Sequence, residues 1–246
     1  MSATEHFDRL AARYSRLRAS PDDVDPLTEA VVALGDLRAC RVLDIGCGPG
    51  TVLGQLTRAF DVIGVGLDAS PKMIEVARRE VSDAVELHVG RAEDLPFADT
   101  SFDAALMRLV VHHVDRPSAL AEIMRVLRPN GRLVITTTDP DALETFWMAP
   151  YFPSYVEIER TRFPSGDALS RELEAAGFGP VLVVPFVLER RFSRAEALEK
   201  LHGRAYSTFP LMSDDEFERG VAAAEAAIPA EIVYDLRLLN VVGVRP

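Results

Sequence analysis

A chain of 246 residues, 48% hydrophobic and 26% charged, is long enough to bury a sizeable core and too apolar for disorder to be its main state. Its two cysteines, Cys40 and Cys47, exclude a disulfide framework and a cysteine zinc site, and no metal site is expected. A formal net charge of −11 disfavours DNA or RNA as a partner.

In chain order, the N-terminal stretch MSATEHFDRLAARYSRLR is polar and lacks the apolar region of a secretory signal. No apolar run approaches the ~20 residues that span a bilayer. The expected compartment is therefore the cytoplasm, with no membrane partner. Residues 3–18 read as an amphipathic helix with Phe7, Leu10, Ala11, Tyr14 and Leu17 on one stripe, and a second helix is predicted over 26–36. The rhythm then alternates. Strands are predicted at 41–45, 61–67, 85–89, 102–109 and 132–138, with helices at 51–60, 71–81 and 117–127, the last stopped by Pro129-Asn130-Gly131. Beyond an aromatic-rich segment at 141–162, a helix at 165–176, a strand at 181–188, helices at 193–206 and 213–227, and a strand at 232–244 complete the chain. This pattern predicts one α/β domain over 1–246. Its doubly wound, Rossmann-like sheet of about seven strands carries helices on both faces. The core lies near 38–139, and a mostly helical cap is expected from about 1–35, 141–162 and 193–228.

The informative motif is VLDIGCGPG at 42–50, a strand running into Gly46, Gly48 and Gly50 and then a helix. Ligands of open α/β sheets sit beyond the carboxyl ends of the strands, at the point where strand order reverses. The dinucleotide pattern G-x-G-x-x-G would need glycine at 51, where this chain has Thr51. Asp44 places a carboxylate at the mouth of the turn; it repels a pyrophosphate and attracts an ammonium or sulfonium. Asp68, at the end of the second predicted strand, is placed to accept from a ribose diol.

Together with GLDAS, GRAEDLPF, FDAALMRLVVHHV and VLRPNGRLVITT, this motif resembles the class I S-adenosylmethionine-dependent methyltransferases over roughly 38–139. The nearest branch looks like the ubiquinone/menaquinone and small-molecule methyltransferases. The resemblance implies S-adenosylmethionine as cofactor. It implies that Asp44 and the backbone of Gly46, Cys47 and Gly48 hold the methionine part, and that Asp68 binds the ribose. Ala69 and Met73 would flank the adenine, and Ala92 would offer its backbone N–H with Glu93 beside it. The backbone near Met107 and Arg108 would meet the amino-acid end, and Tyr14 and Arg18 would close over it. Relatives often carry Asp where this chain has Arg91, which cannot accept a hydrogen bond, so Glu93 or Asp94 substitutes or the adenine is held by backbone and packing.

His112 and His113 fall where the fourth strand ends and are candidate general bases, suited by an ordinary pKa of ~6.5; packing is the alternative. Trp147, Tyr151, Tyr155, His202 and Tyr206 are candidate acceptor contacts, with cap core as the alternative for the aromatics. Arg160, Arg162 and Arg204 read as solvated or as partners of a substrate carboxylate. Cys47 reads as a small turn residue, His88 as structural and His6 as a surface group. The expected reaction is methyl transfer to O, N or C of a small aromatic or apolar acceptor, by a monomer or homodimer. A non-methylating S-adenosylmethionine-fold protein and an NAD(P) oxidoreductase remain the alternatives.

Overall fold

Strand β1 (Arg41–Ile45) is paired at both edges by parallel strands, β2 (Ile63–Asp68) and β4 (Phe102–Arg108), and is buried on both faces by helical layers. That environment favours the short apolar run read from the sequence, in which Asp44 is the buried exception. The computed structural model describes residues 3–14 and 24–246. In chain order the remaining elements are α1 (Ala3–Tyr14), α2 (Pro26–Gly35), α3 (Thr51–Ala59), α4 (Pro71–Glu80), β3 (Glu86–Val89), α5 (Arg116–Val126), β5 (Leu127–Thr138), α6 (Tyr155–Arg162), α7 (Gly166–Ala175), β6 (Val181–Ser193), α8 (Arg194–His202), α9 (Asp214–Ala227) and β7 (Glu231–Val244). The seven-stranded sheet has the order β3-β2-β1-β4-β5-β7-β6. β7 runs antiparallel to β5 and β6, and the other pairings are parallel. Strand order reverses between β1 and β4, so their carboxyl ends open a crevice.

One face of the sheet packs Leu43, Ile45, Met107 and Ile135 against α5 and α7 through Leu120, Ile123, Leu169 and Leu173. The other packs Val42, Leu106 and Val134 against Leu27, Val31 and Val32 of α2 and Leu56 of α3. Residues 26–35, expected in the cap, therefore belong to the layer covering the sheet. The apolar stripe of α2 matches the flat face of β1, β4 and β5 better than an exposed cap would. A third core, apart from these, joins Met148, Phe152, Leu201, Phe209 and Phe217 with Phe192 of β6 and Ile232 of β7.

Two boundaries differ from the sequence reading. The turn signal Pro129-Asn130-Gly131 does not separate α5 from β5. Leu127 already pairs with Phe102 and Arg132 with Ala104, so the turn is an irregularity within the strand, with Asn130 at φ 64. Strand β6 runs five residues past Leu188, because Glu189 to Ser193 continue pairing with β7 as a two-stranded ribbon. Leu188 and Phe192 there alternate with exposed Glu189 and Arg191, and the charged residues mask the strand pattern.

Candidate functional site

The turn after β1 holds Gly46 and Gly48 at φ 73 and 55, a left-handed geometry that glycine adopts without a Cβ penalty. A Cβ at Gly46 would lie 2.5 Å from Val110, whereas one at Gly48 would meet nothing within 4 Å. Gly48 is thus demanded by backbone conformation alone and leaves space beside the chain. The Gly48 N–H donates to Asp68 Oδ2 at 2.8 Å, and the Ser70 N–H donates to Asp68 Oδ1 at 2.8 Å. One carboxylate therefore ties the turn after β1 to the turn after β2. Burial raises its pKa, and these two hydrogen bonds oppose the rise.

Asp44 is 2% exposed, and its Oδ2 has no hydrogen-bond partner. Burial pushes its carboxyl up to about 7, with the Arg108 charge opposing and Asp68 reinforcing the rise. A buried carboxyl with an unsatisfied oxygen is costly alone and is complementary to a cation. The Arg108 guanidinium does not satisfy that oxygen. It donates to Thr28 Oγ1 at 3.0 Å and to Asp25 Oδ2 at 3.1 Å, and Asp25 also caps α2 by accepting from the Thr28 N–H at 2.8 Å.

Two adjoining cavities meet at this turn. The first, about 140 Å³, runs from Gly46 and Gly48 past Asp68, Ala69 and Met73 to Arg91, Ala92 and Glu93, with Thr4 and Phe7 of α1 on its outer side. The second, about 300 Å³, extends from Asp44, Cys47 and Thr51 to rings of the cap, among them Phe146, Tyr155, Phe163, Tyr206 and Tyr234. Phe7, Gly46, Gly48, Arg108, Leu109 and His113 line both.

His113 stands at this junction, its ring against the edge of Phe7 at 5.5 Å and against His112 at 3.9 Å. Burial lowers its pKa to about 4, helped by the Arg162 and His6 charges. Burial holds His112 well below its ordinary value too, and its Nδ1 has no partner. Both imidazoles are thus neutral around pH 7, and neither sits near the ordinary value the sequence reading assumed. His6 corrects another expectation. It is 5% exposed on α1, packed against Phe7, and burial lowers its pKa.

Of the sequence-selected residues, Asp44, Gly46, Cys47, Gly48, Asp68, Ala69, Met73, Arg91, Ala92, Glu93, Arg108, His112, His113, Tyr155 and Tyr206 line one or both cavities. The Tyr14 side chain and Arg18 lie outside the described residues. Met107 is 1% exposed inside the sheet core and lines neither cavity; the neighbouring Arg108 and Leu109 do. Trp147 is turned into the cap core, its Nε1 donating to Tyr206 Oη at 3.1 Å, and Tyr151 packs with the same cluster. His202 faces outward and pairs with Glu225 at 2.9 Å. None of the three lines either cavity: the cap is large enough to need its own core, which takes Trp147 and Tyr151, while His202 lies on the outer surface. Arg160, Arg162 and Arg204 each take a carboxylate, from Glu144, Glu159 and Asp214. Arg91 pairs with Glu93 at 3.1 Å, and of the two candidate substitutes Glu93, not Asp94, lines the first cavity. Cys47 is buried, and its thiol is raised well above the ordinary value by burial, consistent with an inert turn residue.

Sequence reading missed Thr4, Phe7, Phe163 and the inward face of the β6–β7 ribbon, with Leu188, Arg190, Tyr234 and Leu236. The ribbon was detectable only as period-2 alternation continuing past Leu188. Among the described residues no helix is long and apolar enough to cross a membrane, and no three His, Cys, Asp or Glu side chains are grouped to hold a metal ion.

This sheet order, with a glycine turn and two strand-end carboxylates at the reversal point, defines the class I S-adenosylmethionine-dependent methyltransferases. The methyltransferase domain model matches residues 43–135, and the chain belongs to that family. An O-methyltransferase of Aspergillus nomiae is 36% identical over 158 residues, covering 59% of this chain and 67% of the relative. A demethylmenaquinone methyltransferase of Symbiobacterium thermophilum is 36% identical over 141 residues, covering 53% of this chain and 56% of the relative. The chain thus spans about half to two thirds of the length of such curated relatives. A solved methyltransferase structure from an antibiotic biosynthesis pathway of Anabaena variabilis shares the fold, with a TM-score of 0.70 at 24% identity over 87% of this chain and 95% of that one.

Proposed function

We propose that this chain moves a methyl group from S-adenosylmethionine to an oxygen, nitrogen or carbon of a small, aromatic or apolar metabolite. The observation that carries this reading is the meeting of two cavities at Gly46, Gly48 and His113, one edged by Asp68 and Glu93 and the other running from Asp44 to a wall of aromatic rings. The donor, when bound, supplies a methyl group already activated on a positively charged sulfur, so the protein needs no metal or covalent nucleophile. The orphaned Asp44 Oδ2 fits the cationic amino-acid end, and Asp68 fits the ribose hydroxyls. Ala69, Met73 and Ala92 fit the adenine, with Glu93 as the nearby acceptor that Arg91 cannot be.

The second cavity holds the acceptor. Its rings align a planar substrate, and alignment of nucleophile with methyl group removes several kcal/mol, on the order of 7 or more, from the barrier. His113, neutral and at the junction, is placed to take the proton of a hydroxyl as it is methylated; oxygen is favoured because the Aspergillus relative is an O-methyltransferase. Isothermal titration with S-adenosylhomocysteine, then incubation of the donor with a panel of phenols and related aromatics, tests this. A product heavier by one methylene is the expected result. Absence of cofactor binding at high micromolar ligand counts against it. Asp68→Ala should weaken cofactor binding by about 1.5–3 kcal/mol through loss of charge-assisted hydrogen bonds. Unchanged affinity in that variant would move the ribose elsewhere.

A further inference from the structure

On the side formed by the strand ends, α2 and α6, the acceptor cavity is lined by Asp25, Asp44, Arg108 and Glu159, and ion pairs engage three of them. Asp25 pairs with Arg108 at 3.1 Å, and Glu159 pairs with Arg162 at 2.5 Å. Asp44, held near 7, lines this cavity at the glycine turn where it meets the first. The opposite wall differs. There the β6–β7 ribbon turns Leu188, Arg190 and Phe192 inward, with Tyr234 and Leu236 in register across from Arg190 and Leu188. Arg190 is the one charged side chain on this otherwise apolar inner strip. No carboxylate of the described residues pairs with it, although the chain has 38 acidic residues and the neighbouring Arg191 engages Glu231 and Glu189. The Lys200 ammonium lies 5.8 Å from the ring centre of Phe192, on the same side of the cavity.

A partly buried guanidinium held against apolar neighbours without a counter-ion forgoes hydration that a ligand anion would replace. Its planar fork matches a carboxylate in bidentate fashion. We propose that Arg190 is a specificity-determining residue, and that the methyl acceptor is an aromatic compound carrying a carboxylate at the end remote from the methylated atom. This rests on the methyltransferase reading above. The wall is cationic in a molecule whose overall charge is −11, so it marks a local preference, acting within a screening length of about 10 Å, and not general attraction of anions.

The test uses the full chain saturated with S-adenosylhomocysteine. Hydroxybenzoates, hydroxycinnamates and indole carboxylates are titrated beside their carboxamides, which keep shape and lose charge. The acids should bind at least about tenfold more tightly than the amides, and Arg190→Gln should abolish the difference. Unaltered affinity of that variant for S-adenosylhomocysteine shows that it is folded. Amides binding as well as acids, an undiminished preference in Arg190→Gln, or no acid binding at millimolar concentration each overturn the assignment. Failure of S-adenosylhomocysteine itself to bind the wild type would instead overturn the methyltransferase reading, so the two failures are distinguishable.

Discussion

At the scale of single residues, Asp44 links the site to pH. Its carboxyl titrates near 7 in the fold, against an ordinary value of 3.8. Between those values the folded state holds the extra proton, so this group's contribution to stability declines as pH rises from about 4 to about 7. Asp44→Asn should remove that decline and make the ligand-free protein more stable above neutral pH, by at most about 4 kcal/mol. The same proton competes with a cationic ligand. Affinity for S-adenosylhomocysteine should fall toward tenfold per pH unit below about 7 in the wild type, and should be weak and nearly flat with pH in Asp44→Asn. Titration calorimetry across the neutral and mildly acidic range decides it, and a flat wild-type profile refutes the role. His113, lowered to about 4, carries a separate expectation. If it accepts the substrate proton, the acid limb of kcat/KM for the acceptor, measured at saturating S-adenosylmethionine, lies near pH 4, not near 6.5, and His113→Ala lowers kcat much more than cofactor affinity. A limb near 6.5 that survives in the variant removes this histidine from the mechanism.

At the scale of elements, α1 is the outer wall of the donor cavity. It is pinned at Asp8, which accepts from the hydroxyl of Ser70, and Ser70 also caps α4 by accepting from the Met73 N–H at 3.1 Å. Thr4 and Phe7, on the same helix, reach the cavity lining. Asp8→Ala should free the helix without disturbing the sheet. Release of S-adenosylhomocysteine, followed by stopped-flow displacement, should speed up by a few-fold, corresponding to about 1 kcal/mol, while secondary structure stays unchanged. An unchanged release rate would mean that α1 does not retain the ligand. The helix was legible from its apolar stripe, but its partner was not, because a contact between Asp8 and Ser70 spans 62 positions and leaves no local trace. The strands around β1 were legible because burial on both faces leaves mostly apolar residues, with charged ones chiefly near the strand ends. The end of β6 was not, since Glu189, Arg190 and Arg191 interrupt the apolar run. The assignment of α2 to the cap failed for a related reason: a helix's apolar stripe says that it is covered and does not say by what.

At the scale of the molecule, the two cavities, proposed to seat donor and acceptor, belong to different packing units. The donor side is framed by strand ends rooted in the two cores on the faces of the sheet, and much of the acceptor side by a cap with its own core. Strand-end motifs made the first visible in sequence, since each chemical group sits within a few residues of a recognisable strand. Much of the second is assembled from segments between Phe146 and Leu238 whose aromatic residues divide between core and cavity, as Trp147 and Tyr206 do, and that division depends on side-chain direction. The two units should therefore separate under mutation. Phe209 is fully buried in the cap core, and Phe209→Ala should cost about 3–5 kcal/mol by leaving a cavity there. Native-state hydrogen exchange should show that loss in α8, α9 and the outer β6–β7 ribbon, with β1 and β4 retaining greater protection. At low temperature the variant should still bind S-adenosylhomocysteine near wild-type affinity while acceptor turnover collapses. Equal loss of protection throughout the sheet, with cofactor affinity lost in parallel, would show that cap and sheet are a single cooperative unit and that the acceptor wall cannot vary independently of the donor seat.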